Sequence, residues 1–176
     1  VNVSANGLNG SATGVLSSDE VRPVTVQLEP RATISGAVFE PDGQTPATGS
    51  VVVRPLSGGT AATRPLVNGA FSATDLRLGS YRVDAYDPVG RFRAFATGIE
   101  LTANGQEAQR TLSFVGLGTV RGRVLHPTGG DAGNLSVQLR SLNVDFGGYA
   151  GAQTDAAGNF EFSGVPVGEV RLSSAK

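Results

Sequence analysis

The sequence predicts an all-β protein built from tandem sandwich domains, on three observations. Short stretches of alternating apolar and polar residues are separated by clusters of Gly, Pro, Asn and Asp, the pattern of half-buried antiparallel strands. No segment carries the period of a helix. Thr33-Ile34-Ser35-Gly36-Ala37-Val38 returns 86 residues later as Thr119-Val120-Arg121-Gly122-Arg123-Val124, and a fixed period of that size marks an array of small domains.

Residues 1–32 read as the C-terminal strands of a preceding repeat. Val24, Val26 and Leu28 stand where Arg110, Leu112 and Phe114 stand, and Ala12-Thr13-Gly14-Val15 echoes Ala96-Thr97-Gly98-Ile99. The second offset is two residues shorter, which places an indel in a loop. Residues 33–118 read as a complete repeat, with strands expected at 33–39, 50–54, 69–73, 80–86, 91–99 and 109–115. In the fourth of these, Tyr81, Val83 and Ala85 share the expected core face, and Arg82, Asp84 and Tyr86 share the other. Glu40-Pro41-Asp42-Gly43 supplies a proline with φ already fixed and a glycine free to take positive φ, as a tight reversal requires. Residues 119–176 read as the N-terminal two thirds of a following repeat, without its last strands. There Gly158-Asn159-Phe160 and Val167-Gly168-Glu169-Val170-Arg171-Leu172 match Gly69-Ala70-Phe71 and Leu78-Gly79-Ser80-Tyr81-Arg82-Val83.

Three strings carry a family resemblance: Gly122-Arg123-Val124, then Thr154-Asp155-Ala156-Ala157-Gly158-Asn159-Phe160-Glu161-Phe162, then Val165-Pro166-Val167-Gly168. The middle repeat matches more loosely through Gly36-Ala37-Val38, Pro41-Asp42-Gly43 and Asn68-Gly69-Ala70-Phe71, with Asp75-Leu76-Arg77-Leu78-Gly79 in place of the Val-Pro-x-Gly segment. The chain resembles the carboxypeptidase regulatory-like, transthyretin-like repeats of bacterial surface proteins. The resemblance implies tandem Ig-like or transthyretin-like Greek-key β-sandwiches of seven strands. It also implies a non-catalytic spacer or interaction module, extracellular or on the cell surface, and brings no active site to carry over.

Composition narrows the function further. A formal charge of −1 and a pI near 5.8 give no electrostatic footprint for nucleic acid or an anionic membrane. No apolar run reaches the ~20 residues of a membrane span, and no leader pattern opens the chain. With no methionine either, the residues read as the interior or the processed part of a longer reading frame. Cysteine is absent, so no disulfide framework or thiolate site is expected. Lys176 is the single lysine, which leaves a Lys–Asn isopeptide staple without an amine inside either sandwich.

No catalytic residue and no cofactor are expected. His126 is the only histidine and reads as a turn residue, and one imidazole without cysteine cannot assemble nucleophile, base and orienting group. Asp42, Asp84, Asp87 and Asp155, with Asp75 and Asp131, are weighed as calcium ligands. Against that, no EF-hand-like spacing is present, and Asp42 and Asp155 stand where aspartates cap their own turns. The sequons at Asn2, Asn9 and Asn134 read as chance matches. Phe92, Phe95, Phe146 and Tyr149, beside Tyr86, are the interaction candidates. Phe92 and Phe95, three apart, are expected on opposite faces of a strand, and 142–149 reads as a long loop of the kind that carries recognition.

A sandwich without its terminal strands presents unpaired backbone and an uncovered apolar face. Three readings stand: neighbouring repeats of a longer array cover it, residues 1–32 fold back within the chain, or one chain completes the next head to tail as a fibre. Adjacent repeats or identical chains are thus the expected partners, with a surface ligand possible and neither nucleic acid nor a membrane span expected. The alternative function is an accessory peptide- or carbohydrate-binding domain appended to a secreted enzyme.

Overall fold

The computed structural model describes residues 1–5 and 8–175. It is an all-β, Ig-like sandwich fold; among the described residues no helix forms, so none is long and apolar enough to cross a membrane. The chain divides into two units, Val1–Phe39 with Pro46–Leu112, and Glu40–Thr45 with Ser113–Lys176.

The first unit begins with a hairpin of β1 (Asn2–Ala5) and β2 (Leu8–Ser11). Residues 12–30, all described, form no strand. Seven strands follow: β3 (Arg31–Phe39), β4 (Ser50–Pro55), β5 (Ala62–Pro65), β6 (Ala70–Arg77), β7 (Gly79–Tyr86), β8 (Phe92–Leu101) and β9 (Glu107–Ser113). They make a three-stranded sheet in the order β6-β3-β9 and a four-stranded sheet in the order β5-β4-β7-β8. The β-branched and aliphatic residues of alternate positions meet between the sheets: Ile34, Val38, Val51, Val53, Val83, Ala85 and Ile99 are all fully buried. Each larger one contributes roughly 1.5–3 kcal/mol by leaving water. The strand β5 escapes the sequence reading because its four residues, Ala62-Thr63-Arg64-Pro65, carry no apolar alternation.

The second unit holds β10 (Leu117–Arg123), β11 (Ser136–Ser141), β12 (Gly148–Gln153), β13 (Asn159–Pro166) and β14 (Val170–Ala175). Its sheets are β10-β13 and β12-β11-β14, and its core is Val137, Leu139, Phe162 and Val165. The order β12-β11-β14 is that of β5-β4-β7 in the first unit. Register agrees in detail: β3 slips against β6 between Ala32 and Ile34, and β10 slips against β13 between Gly118 and Val120. Gly36 then faces Phe71, and Gly122 faces Phe160.

Candidate functional site

The outward face of β4, β7 and β8 concentrates the polar and aromatic side chains that the core rejects. With Tyr81, Val83 and Ala85 turned inward and buried, Arg82, Asp84 and Tyr86 turn outward, as the alternation predicts. The pairing of β4 with β7 sets Arg54 directly opposite Arg82, a like-charge juxtaposition that alone would repel. Asp84 resolves it. One of its oxygens accepts from Arg54 Nε at 2.8 Å, the other from Arg82 Nε at 2.5 Å, and the side chain is only 8% exposed. Arg54 also donates to the Tyr86 hydroxyl at 3.4 Å. That bond first, and the Asp84 carboxylate second, raise the guanidinium pKa, so Arg54 is permanently charged.

Phe92 and Phe95 lie on this same face, which corrects the expectation of opposite faces. Ala85 pairs with Ala94 while Tyr86 pairs with Phe92, so Arg93 is one residue too many for β7. That bulge resets the alternation. Arg93 is buried, with a guanidinium nitrogen 4.0 Å from Asp87, and the two phenyl rings come together, centroids 6.0 Å apart and 25° from parallel. Tyr86 tilts against Phe92 at 5.7 Å, and the Arg82 guanidinium stands 4.5 Å from the Phe95 centroid and 5.6 Å from that of Phe92. Two guanidiniums share one carboxylate beside three rings. The arrangement suits contact with a flat or acidic group. Arg54 was not singled out in the sequence, although Val51 and Val53 turning inward forces it outward beside Arg82.

The acidic residues weighed for calcium are engaged elsewhere. Asp42 Oδ1 accepts from the N–H groups of Gln44 and Thr45 at 2.9 and 2.8 Å, and Oδ2 from the Thr45 hydroxyl. Asp155 does the same for Ala157 and Asn159 at 2.9 and 2.8 Å. The hydroxyl of Thr45 foremost, and the side chain of Asn159 foremost, hold these two carboxylates below the ordinary range. Burial pushes Asp87 up, but the N–H and guanidinium of Arg91 outweigh it and the net direction is down. Asp75, at φ +61°, lies 3.6 Å from Arg31 Nε, and Asp131 pairs with Arg123. Among the described residues no three His, Cys, Asp or Glu side chains cluster as a metal site would require. His126 closes a turn, its N–H donating to the Gly130 carbonyl and its carbonyl accepting from Gly129, both at 2.8 Å.

The loop between β11 and β12 is built on Asn143, whose Oδ1 accepts from Asp145 and Phe146 while Nδ2 donates to the Val167 carbonyl. Phe146 is half-buried there. Tyr149, read from sequence as part of this loop, belongs instead to β12, opposite Arg140 of β11, whose guanidinium lies 5.4 Å from its ring. The structure thus gathers Phe92, Phe95 and Tyr86 in one cluster, and leaves Phe146 and Tyr149 in the second unit.

A second surface is made by what the sheets of the second unit omit. Strand β7 is bonded on both edges, to β4 and β8, and β3 to β6 and β9; among the described residues the corresponding β14 is bonded to β11 alone, and β10 to β13 alone. Leu172, opposite Leu139 as Val83 is opposite Val53, is 45% exposed where Val83 is fully buried.

No family model matches the chain, and no curated protein matches it. Among solved structures, a streptococcal ancillary pilin is similar over 98% of this chain and 67% of its own length, at 13% identity and a TM-score of 0.52, a likeness of fold. Looser matches are the shaft pilin spaA of Lactobacillus rhamnosus GG, at 9% identity, 82% and 86% coverage and a TM-score of 0.39, and a DUF3823 family protein of Parabacteroides merdae, at 12% identity, 77% and 80% coverage and a TM-score of 0.38.

Proposed function

We propose that the chain is a non-catalytic structural module of an extracellular bacterial surface protein or fibre, made of tandem repeats whose open edges are closed by further strands. One observation carries the reading: the second unit follows the strand order and register breaks of the first but holds sheets of two and three strands where the first holds three and four. An apolar face with one-sided strands is a template for strand addition. The engagement of each weighed aspartate in turns and ion pairs, and the fold shared with a streptococcal ancillary pilin, support the same reading.

Antibodies raised against the 176-residue chain test the location. They label intact producing cells if the module is displayed, and labelling only after permeabilisation overturns the reading.

The second reading, an accessory peptide- or carbohydrate-binding domain of a secreted enzyme, is favoured by the Phe92–Phe95–Arg82 cluster, since stacked rings beside guanidiniums suit a sugar ring or an acidic peptide. Saturable binding on a glycan or peptide array, lost in Phe95→Ala, would establish it.

A further inference from the structure

We propose that the outward face of the sheet β12-β11-β14 binds an acidic polysaccharide, with the carboxylate of a uronic acid between Arg140 and Arg171 and its sugar ring on Tyr149. The site belongs to the second unit, shares no residue with the Phe92–Phe95 cluster, and stands under either function proposed for the chain.

The two units put the same arginine pair on the same face and treat it differently. Ser136-Val137-Gln138-Leu139-Arg140 repeats Ser50-Val51-Val52-Val53-Arg54, and Val170-Arg171-Leu172-Ser173 repeats Tyr81-Arg82-Val83-Asp84. Register carries the match into space. Arg54 lies opposite Arg82 and Val52 opposite Asp84; Arg140 lies opposite Arg171 and Gln138 opposite Ser173. In the first unit the Asp84 carboxylate accepts from both guanidiniums. In the second, a serine stands in its place. Arg140 has no carboxylate within reach among the described residues, and its guanidinium lies 5.4 Å from the centre of the Tyr149 ring. Arg171 has a 3.8 Å ion pair with Glu169, both side chains largely exposed, and such a surface pair holds weakly. Like charges directly opposite on a sheet repel. A ligand carboxylate would fill the role of Asp84, through the charge-assisted, two-pronged bonds that guanidiniums make best.

This difference lies within the repeat itself. The residue that ties the arginines in the first unit stands on β7, and its counterpart Ser173 is present on β14; the neighbouring β8 sets only Phe95 opposite Asp84.

The rest of the face selects a sugar. Gly151, Gln138 and Ser173 form the next row across the sheet, all exposed. Tyr149 is 75% exposed beside a hollow of about 320 Å³ lined by Gln138, Tyr149, Ala150 and Gly151. Gln138 replaces Val52, so the face gains an amide donor and acceptor where it loses its carboxylate. An extended peptide would bind a sheet through main-chain bonds at an edge, but both edges of β11, which carries Arg140 and Gln138, are taken by β12 and β14. What remains is side-chain donors around one flat ring. A pyranose offers the ring an apolar C–H face, and hydroxyls to Gln138 and Ser173. As a uronic acid it also brings the carboxylate.

Calorimetric titration of the full chain with a galacturonic acid oligosaccharide tests this. Binding should saturate and weaken as salt rises. Methyl esterification of the same oligosaccharide keeps the rings and removes the charge, and should abolish binding. Arg140→Gln should weaken it about tenfold or more and Tyr149→Ala about threefold or more, whereas Arg121→Gln on the other sheet should leave it unchanged. Ser173→Asp installs the carboxylate that the first unit already has, so it should remove binding without lowering the thermal midpoint. Poly-glutamate, which carries charge without rings, should bind more weakly than the uronate. No saturable binding by the wild-type chain, equal binding of the esterified sugar, or undiminished binding by Arg140→Gln or Ser173→Asp would each overturn the proposal. A preference for poly-glutamate would overturn it in favour of an acidic peptide.

Discussion

Asp84 gives one carboxylate oxygen to Arg54 and the other to Arg82, and so binds two arginines that the sheet register places face to face. Asp84→Ala would leave that pair unscreened. Because the arginines are 48% and 35% exposed, water offsets part of the loss, and the expected cost is about 1–3 kcal/mol. Asp84→Asn, which keeps the shape but not the charge, should cost roughly half of that. Urea unfolding of both variants checks the order.

Arg82→Lys separates charge from geometry. An ammonium keeps the ion pair with Asp84 but loses the flat guanidinium over Phe95 and Phe92. The expected destabilisation is roughly 0.5–1 kcal/mol. A wild-type midpoint for Arg82→Lys would mean that the rings take no energy from the cation.

Gly36 and Gly122 occupy corresponding places and should respond unequally to alanine. At Gly36 the new methyl meets backbone, the Arg110 carbonyl, and the first unit should lose roughly 3 kcal/mol. At Gly122 it meets a ring that turns aside, with a cost of about 1 kcal/mol or less. Calorimetry of the two variants measures the contrast.

Acid should destabilise the chain late and steeply. Asp42, Asp87 and Asp155 all have folded pKa values depressed below the ordinary 3.8. Their contribution is therefore complete above that value, and it is lost as pH falls through the folded values beneath it. The urea midpoint should hold between about pH 7 and 5 and fall below about 4. Asp87→Asn should lower the plateau and flatten the fall.

Much of the fold was legible because period-2 alternation is a local signal. Tyr81, Val83 and Ala85, and the Asp42 and Asp155 turns, needed only neighbours in sequence to be placed. What failed was non-local. Phe92 and Phe95 were assigned to opposite faces because a bulge is a property of two strands in register, visible only once Ala85 is seen opposite Ala94 and Tyr86 opposite Phe92. Tyr149 was read as loop for the same reason, since Gly148-Tyr149-Ala150-Gly151 has no pattern of its own and becomes a strand by pairing with β11. Arg54 went unnoticed because its meaning lies in Arg82 and Asp84 on the next strand. One bulge was written in the sequence without being recognised: the Ala96-Thr97-Gly98-Ile99 string, noted as a repeat marker, is the slip that Gly98 accommodates at positive φ.

The extra residue at Arg93 also sets how the gene can change. Removing the single codon of Arg93 would restore strict alternation to β8 and leave Phe92 opposite Tyr86 on the outer face, at the loss of the buried guanidinium beside Asp87. In the unbroken pairing of β4 with β7, by contrast, a one-residue length change exchanges inside for outside. The position of Arg93 should therefore accept a change in length that the paired stretch from Val51 to Arg54 does not.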